Sequence, residues 1–122
     1  MKNVINWFEI PAADFGRAIK FYETVFGTTL RLEDMSGAKM GIFPYEAPAT
    51  SGAVAQMPEL KPGNTGTLIY LDASPDIGMV LSRVGTAGGT VVLEKTLIND
   101  DIGYIGIFID TEGNRIGVHA AK

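Results

Sequence analysis

DFGRAIKFYETVFG, residues 14–27, has the pattern of one capped amphipathic helix. Its apolar side chains recur at positions 15, 18, 19, 22, 25 and 26, which places them on one helical face. The Asp14 carboxylate can accept the free amides of the first turn, and Gly27 can adopt the left-handed backbone that ends a helix. The stretch therefore predicts a helix over 15–26.

The same order of elements is predicted twice along the 122 residues. A strand at 3–10 precedes the helix, and short strands at about 28–34, 38–44 and 52–57 follow it. The second set comprises a strand at 66–72, an N-cap at Asp76, a helical stripe ending at Gly88-Gly89, and strands at 90–94, 103–109 and 114–119. Asp14 and Asp76, like Gly27 and Gly89, lie 62 positions apart, which indicates an internal duplication. We predict one α+β domain of two tandem βαβββ units, 1–57 and 66–122, joined by a linker at 58–65.

Each predicted unit is a sheet with a helix on one face, so its other face must be buried or used. Two such units can curl their bare faces into a half-barrel with a concave surface, the usual place for a small-molecule site. Because side chains alternate along a strand, Trp7 and Glu9 should face the concavity, opposite Phe8 and Ile10. On the last strand Arg115, Gly117 and His119 should share that face. A register slip of one residue would reverse every assignment.

Composition excludes several classes of function. The chain has no cysteine, which removes disulfides, thiolate nucleophiles and thiolate metal sites, and it has one histidine, His119. A net charge of −4 with scattered basic residues argues against nucleic acid as a partner. No apolar run is long enough to cross a bilayer, and the segment beginning at Met1-Lys2 lacks a signal-peptide pattern. The expected location is the cytoplasm, with no membrane partner.

Two motifs carry a resemblance to a known family. Residues 14–27 resemble the first helix of the glyoxalase/bleomycin-resistance/dioxygenase (vicinal oxygen chelate) superfamily, with its D-[LF]-x-R-A-x-x-F-Y-x-x-V-[LF]-G pattern. Residues 108–117, FIDTEGNRIG, resemble the family's closing hairpin, F-x-D-P-x-G-N-x-[IF], with Thr111 in place of proline. The resemblance spans essentially the whole chain and implies the paired βαβββ half-barrel and, commonly, a homodimer.

The resemblance also implies where a divalent metal would be held, and the chain departs from the family there. Metal-dependent members use a His or Gln on the first strand and a Glu on the last strand of each unit. The matching positions hold Trp7, Ile69 and Gly117, and the fourth falls near Ala55 or Gln56. A divalent cation needs several nitrogen or oxygen ligands, which this set does not supply. We therefore expect no metal and no other cofactor, and neither a metal-dependent glyoxalase I nor an extradiol dioxygenase.

Three functions stay open at this point. The favoured one is a metal-free protein that binds a small organic molecule, with a ligand surface formed by Trp7, Gln56, Ile69, Tyr104 and Gly117. The second is a metal-independent lyase or isomerase that uses Glu9 and His119 as acid and base. The third is a metalloenzyme with a rearranged site built from Glu9, Gln56 and His119. For each residue the competing structural explanation is core filling, a paired surface charge or an exposed edge.

Overall fold

The computed structural model describes residues 3–35 and 37–122, so Met1, Lys2 and Ser36 lie outside the description. The elements, in chain order, are β1 (Trp7–Pro11), α1 (Phe15–Phe26), β2 (Arg31–Met35), β3 (Ala38–Ile42), β4 (Ser51–Gln56), β5 (Tyr70–Asp72), α2 (Ile77–Val84), β6 (Thr90–Asn99), β7 (Gly103–Ile109) and β8 (Arg115–Ala120). This is the predicted order, strand–helix–three strands, twice. The α+β class and the duplication are confirmed.

The strands form two four-stranded sheets with the same topology. Their orders are β1-β4-β3-β2 and β5-β8-β7-β6, and the described strands do not close into a barrel. In each unit the first strand pairs in parallel with the last, and the other pairs are antiparallel. β1 and β5 are therefore edge strands, each with one side free of a strand partner.

Both helices begin where the sequence predicts. The Asp14 side chain accepts a hydrogen bond from the amide of Arg17, and the Asp76 side chain accepts from Gly78 and Met79. Gly27 ends α1 with a φ of 61°. α2 ends at Val84, earlier than predicted; of the Gly88-Gly89 pair, Gly88 has a positive φ of 106°.

One core joins the two units on the helix-bearing faces of both sheets. It includes Ile10, Phe21 and Tyr22 from the first unit and Ile77, Phe108 and Val118 from the second. Ile10 is 2% exposed, as its predicted position under the helix requires. Burying such large apolar side chains contributes roughly 1.5–3 kcal/mol each, so the shared core fixes the two units together.

Strand lengths differ from prediction where pairing, not local sequence, sets them. β5 comprises only Tyr70–Asp72 rather than 66–72, because β8 offers it partners only from Gly117 to His119. β6 continues to Asn99 rather than ending at 94, since β7 pairs with it along that length through three register shifts.

Candidate functional site

Strand register gives each sheet a face turned away from the helices, called here the concave face. Trp7 and Glu9 lie on this face of the first sheet, and the Trp7 indole Nε1 donates to Glu9 Oε2 at 3.3 Å. Ile116 and Val118 belong to the helix-side core, which turns Arg115, Gly117 and His119 to the concave face. Both assignments agree with the sequence prediction.

Part of the concave face is already covered. Four buried residues of β3 and β4 form a second apolar cluster there, and Met57 and Leu60 of the linker pack on it; the four are Met40, Ile42, Ala53 and Ala55. The β3–β4 part of the first sheet is thus filled by the chain's own side chains, and open space lies near β1 and β5.

The positions that correspond to the family's metal ligands shift by one to three residues once the two units are aligned by their strand pairing. Ala12 donates its amide to the Ala55 carbonyl, and Ala73 donates to the His119 carbonyl. Counting back along the strands makes Ala53 the equivalent of Gly117, and Leu68 the equivalent of Trp7. Ile69 therefore lies one residue after Leu68, the equivalent of Trp7. Ala55 and Gln56 lie two and three residues after Ala53, the equivalent of Gly117. Ile69 packs against the helix-side core.

The corrected set still does not fit a metal ion. Trp7, Ala53, Leu68 and Gly117 offer no carboxylate, imidazole or amide oxygen, whereas a divalent cation needs several such ligands. Above Gly117 lies the Tyr70 ring, whose Cδ1 would be 2.5 Å from a Cβ at that position. Within residues 3–35 and 37–122 no three His, Cys, Asp or Glu side chains group as a metal site would require.

A slot separates the two units, called here the inter-unit slot. It consists of two adjoining cavities of about 500 and 670 Å³ that share Phe8, Thr67 and Ile69. The first cavity contacts four consecutive β1 residues, Phe8–Pro11, and their side chains alternate between faces. The free edge of β1 must therefore form this wall. Residues 114–116 form the opposite wall. They are open to the cavity because β5 pairs with β8 only from Gly117 onward.

The two ends of the slot differ in chemistry. The 500 Å³ end contains the charged residues Glu9, Lys61 and Arg115 together with polar linker residues as far as Thr67. The 670 Å³ end is lined by Val4, Ile5, Phe8, Leu68, Ile69, Tyr70 and Leu71 with a few polar groups. The apolar side chains there are partly exposed; Ile5 is 55% and Tyr70 47% exposed. Such a mixture of apolar surface and a few charges is typical of small-molecule sites.

Buried polar contacts from the β7–β8 hairpin hold the slot walls. Asn114 is 4% exposed; its Nδ2 donates to the Pro11 carbonyl at 2.7 Å, and its Oδ1 accepts from the Gly63 amide at 3.1 Å. Asp110 accepts from the Tyr22 hydroxyl at 2.6 Å. Burial, reinforced by the Asp110 charge, raises the pKa of Tyr22 well above its ordinary value. These contacts tie the hairpin, β1, α1 and the linker together.

His119 lies in another cavity. It faces Asp72 across the parallel pair β5–β8, and both line a space of about 360 Å³ with Tyr70 and Ile105. Its Nε2 donates to the Ile102 carbonyl. Hydrogen bonds from Ser74 lower the pKa of Asp72, and His119 adds to this lowering. Because Glu9 lines the slot instead, the structure does not bring the predicted acid–base pair into one cavity.

Two predicted ligand residues belong to the helix side of their sheets. Gln56 Oε1 accepts from the Phe15 amide at 3.2 Å and its Nε2 donates to the Ala13 carbonyl at 3.0 Å, so both ends of its amide serve the start of α1. Tyr104 pairs with Ala120 and packs on the main core, with Lys95 Nζ 4.4 Å from its ring centroid. Both side chains therefore point away from the concave face, and a ligand contact at either residue stays a prediction.

The sequence prediction also missed residues that line the slot. Lys61 and Asn114 reach the slot through tertiary placement of the linker and the hairpin, which no local pattern encodes. Arg115 was predicted on the concave face without a role. The hairpin motif at 108–117 was the available signal for Asn114, because a polar side chain in a tight, buried turn must satisfy several backbone groups.

The fold and the slot define a class: a paired βαβββ half-barrel with a mixed polar and apolar slot and no metal-ligand set. Residues 4–118 match the model of the Glyoxalase/Bleomycin resistance protein/Dioxygenase superfamily, and the chain belongs to that superfamily. Within the described residues no helix has the length and apolarity needed to cross a membrane.

Similar proteins agree with this fold. A glyoxylase-like domain-containing protein of Didymella fabae is 28% identical over 115 residues, which are 90% of this chain and 88% of that protein. TnmS3, an antibiotic-binding protein from a Streptomyces species, superposes with a TM-score of 0.68 at 23% identity, over 98% of this chain and 97% of its own. Glyoxalase I from Zea mays gives a TM-score of 0.67 at 17% identity. The match covers 95% of this chain but only 45% of the maize enzyme, so the chain spans about half its length.

Proposed function

We propose that this protein binds a small organic molecule in the inter-unit slot without a metal ion. The slot itself is the observation that carries the proposal: about 500 and 670 Å³ of adjoining space, with charged groups at one end and apolar side chains at the other. Volumes of 300–1,000 Å³ with a few polar groups are usual for such ligands. TnmS3, described as antibiotic-binding, shares the fold, which supports a binding role for the scaffold.

The test is a binding screen with the site mapped on the protein. A fragment library that includes metal-free bleomycin is titrated into ¹⁵N-labelled protein, and backbone amide shifts are recorded. We expect binders to perturb residues 8–11, 61–70 and 114–116 together. Trp7 is the chain's sole tryptophan and donates to Glu9, so its emission provides a second readout.

A slot-filling variant supplies the control. Thr67 is exposed and lines both cavities, so Thr67→Trp should occupy the space and abolish binding while leaving the fold intact. Thr86, exposed in the turn after α2, gives the matched variant Thr86→Trp, which should bind normally. Binders that perturb other regions, or that bind Thr67→Trp undiminished, would contradict the proposal.

Cytoplasmic location and a homodimer stay predictions that accompany this function. Lyase or isomerase chemistry from Glu9 with His119 finds less support, because the two side chains line separate cavities.

A further inference from the structure

The charged end of the inter-unit slot indicates the chemical class of its ligand. We propose, building on the proposed function, that the ligand is an amphipathic organic anion whose acidic group lies between Lys61 and Arg115. Its apolar body would then extend toward Ile5, Leu68 and Tyr70. The anionic group could be a carboxylate or a phosphate, since both have the same requirement for cations and N–H donors.

Neither cation of the slot is held by a carboxylate of the described chain. Within residues 3–35 and 37–122 the ion pairs are Arg17–Glu112 and Arg31–Glu33, and neither Lys61 nor Arg115 takes part in one. Both side chains are exposed, so neither has been desolvated against a fixed partner. In a chain of net charge −4, two unpaired cations in one cavity form a local positive site.

The linker backbone offers the slot further hydrogen-bond donors. Within residues 3–35 and 37–122 the backbone amides of residues 64–67 have no hydrogen-bond acceptor, and all four residues line the same cavity. Gly66 has a φ of 94°, a left-handed conformation that turns the chain there. Free N–H groups in such irregular backbone are suited to an anion, and they supplement the two cations.

Glu9 carries a negative charge at this end, which disfavours a bound anion. Variants of Glu9 and of the two cations should therefore change anion affinity in opposite directions. Glu9 lines the cavity with Lys61 and Arg115, and its carboxylate accepts a hydrogen bond from the Trp7 indole N–H. Two positive groups against one negative group leave a net positive end. Removing the Glu9 charge should strengthen anion binding, whereas removing either cation should weaken it.

The apolar end of the slot indicates that the ligand has an apolar body attached to its acidic group. Ile5 is 55% and Tyr70 47% exposed, and Val4 is 86% exposed, so this end presents apolar surface to solvent in the absence of a ligand. Covering it contributes roughly 25 cal/mol for each Å² removed from water. Inorganic phosphate or acetate, which lack an apolar body, should therefore bind far more weakly than an acid that has one.

The experiment compares matched probes. Binding of 4-phenylbutyrate, its neutral amide 4-phenylbutanamide, phenyl phosphate and inorganic phosphate is measured by amide shifts and calorimetry. We expect 4-phenylbutyrate to bind about tenfold more tightly than its amide, and the preference to shrink as salt rises from about 50 to 500 mM. A comparison of phenyl phosphate with 4-phenylbutyrate then tells whether phosphate or carboxylate is preferred.

Single-charge variants complete the test. Arg115→Gln and Lys61→Gln should each weaken 4-phenylbutyrate binding about three- to tenfold, and Glu9→Gln should strengthen it by a similar factor. Lys20→Gln, the same change at an exposed position of α1, should leave it unchanged. All four side chains are at least partly exposed, so folding should persist and is checked by circular dichroism.

Equal binding of the acid and its amide in the slot would overturn the anionic class while leaving small-molecule binding there intact. Unchanged affinity in Arg115→Gln and Lys61→Gln would overturn it equally. If neither probe perturbs residues 61–67 and 114–116 at about 10 mM, the inference is also wrong, since millimolar affinity is the least such a site should provide. The fragment screen decides the proposed function separately.

Discussion

Asn114 connects three separate parts of the chain through one amide group. It donates to the Pro11 carbonyl and to Asp110 Oδ2, and it accepts from the Gly63 amide. Truncation to alanine would remove three hydrogen bonds, each of which contributes about 0.5–1.5 kcal/mol. We expect Asn114→Ala to lower the free energy of unfolding by about 2–3 kcal/mol, measured by urea denaturation.

The matched control is Asn99→Ala at the end of β6. Asn99 also accepts one backbone hydrogen bond, from Ile102 at 2.7 Å, but it is exposed, so water replaces its contact. That variant should lose less than about 1 kcal/mol. Similar losses in the two variants would mean that Asn114 does not hold the slot walls as described.

Single residues also show why the candidate site was only partly predictable. In the first unit the helix cap, Asp14, comes three residues after the last strand residue, Pro11. In the second unit the cap, Asp76, comes four residues after Asp72. An alignment anchored on the two caps therefore slips by one residue in the strand and selects Ile69 instead of Leu68. Because side chains alternate, that slip exchanged the two faces of β5. The pairing of β5 with β8 identifies Leu68 as the equivalent residue, and this pairing cannot be derived from the sequence alone.

At the scale of elements, the start of α1 depends on a carboxylate from the other unit. Glu112 accepts from the Ala13 amide at 2.9 Å, the Asp14 amide at 2.7 Å and Arg17 Nε at 2.8 Å. Its side chain has no exposed surface. Burial by itself raises the pKa of Glu112, but the hydrogen bonds from Arg17, Asp14, Thr111 and Ala13 outweigh it and hold the pKa below the ordinary value.

This lowered pKa predicts a pH dependence. A carboxyl group with a folded pKa below its unfolded value contributes stability above the unfolded pKa, and that contribution is lost as pH falls through the folded pKa. We expect Glu112→Gln to cost about 1–2 kcal/mol at pH 7, and the difference from the unmodified protein to shrink below about pH 4.3. Urea unfolding at a series of pH values between about 3 and 7 measures it.

Glu94→Gln, at an exposed position of β6, serves as the control with the same change of charge. It should alter stability by less than about 0.5 kcal/mol across the series. A loss in Glu112→Gln that stays constant down to the lowest pH would show that the ionised form of Glu112 contributes nothing to the start of α1.

Helices were the elements that sequence predicted best. The bounds of α1 follow from signals within fourteen residues, the Asp14 cap, the apolar stripe and Gly27, and the structure has the helix over Phe15–Phe26. Strand ends were predicted less well because they depend on partners distant in sequence: β5 is shortened and β6 lengthened by what β8 and β7 offer them. Local chemistry fixes a helix, whereas a strand is completed by tertiary pairing.

At the scale of the whole molecule, the duplication gives each unit two of the four positions that correspond to the family's metal ligands. In a metal-dependent member of the fold both units would contribute ligands there, but here Trp7, Ala53, Leu68 and Gly117 contribute none. The shared core and the hairpin contacts connect the two units directly. We therefore expect the fold to be stable without a cation.

Metal addition and removal test this directly. We expect purified protein to contain less than stoichiometric Zn²⁺, Ni²⁺, Fe²⁺ or Mn²⁺ by elemental analysis, and its melting temperature to be the same with EDTA or with added metal. A bound ion would stabilise the folded state by mass action, by about 2.7 kcal/mol at a hundredfold excess over Kd, and raise the melting temperature by several degrees.

The rearranged site of Glu9, Gln56 and His119 is tested by His119→Asn, which removes the chain's sole imidazole. Because Gln56 serves α1 and His119 lies in a different cavity from Glu9, that variant should respond to metal as the unmodified protein does. Stoichiometric metal that disappears in His119→Asn would establish a metal centre that these positions do not suggest.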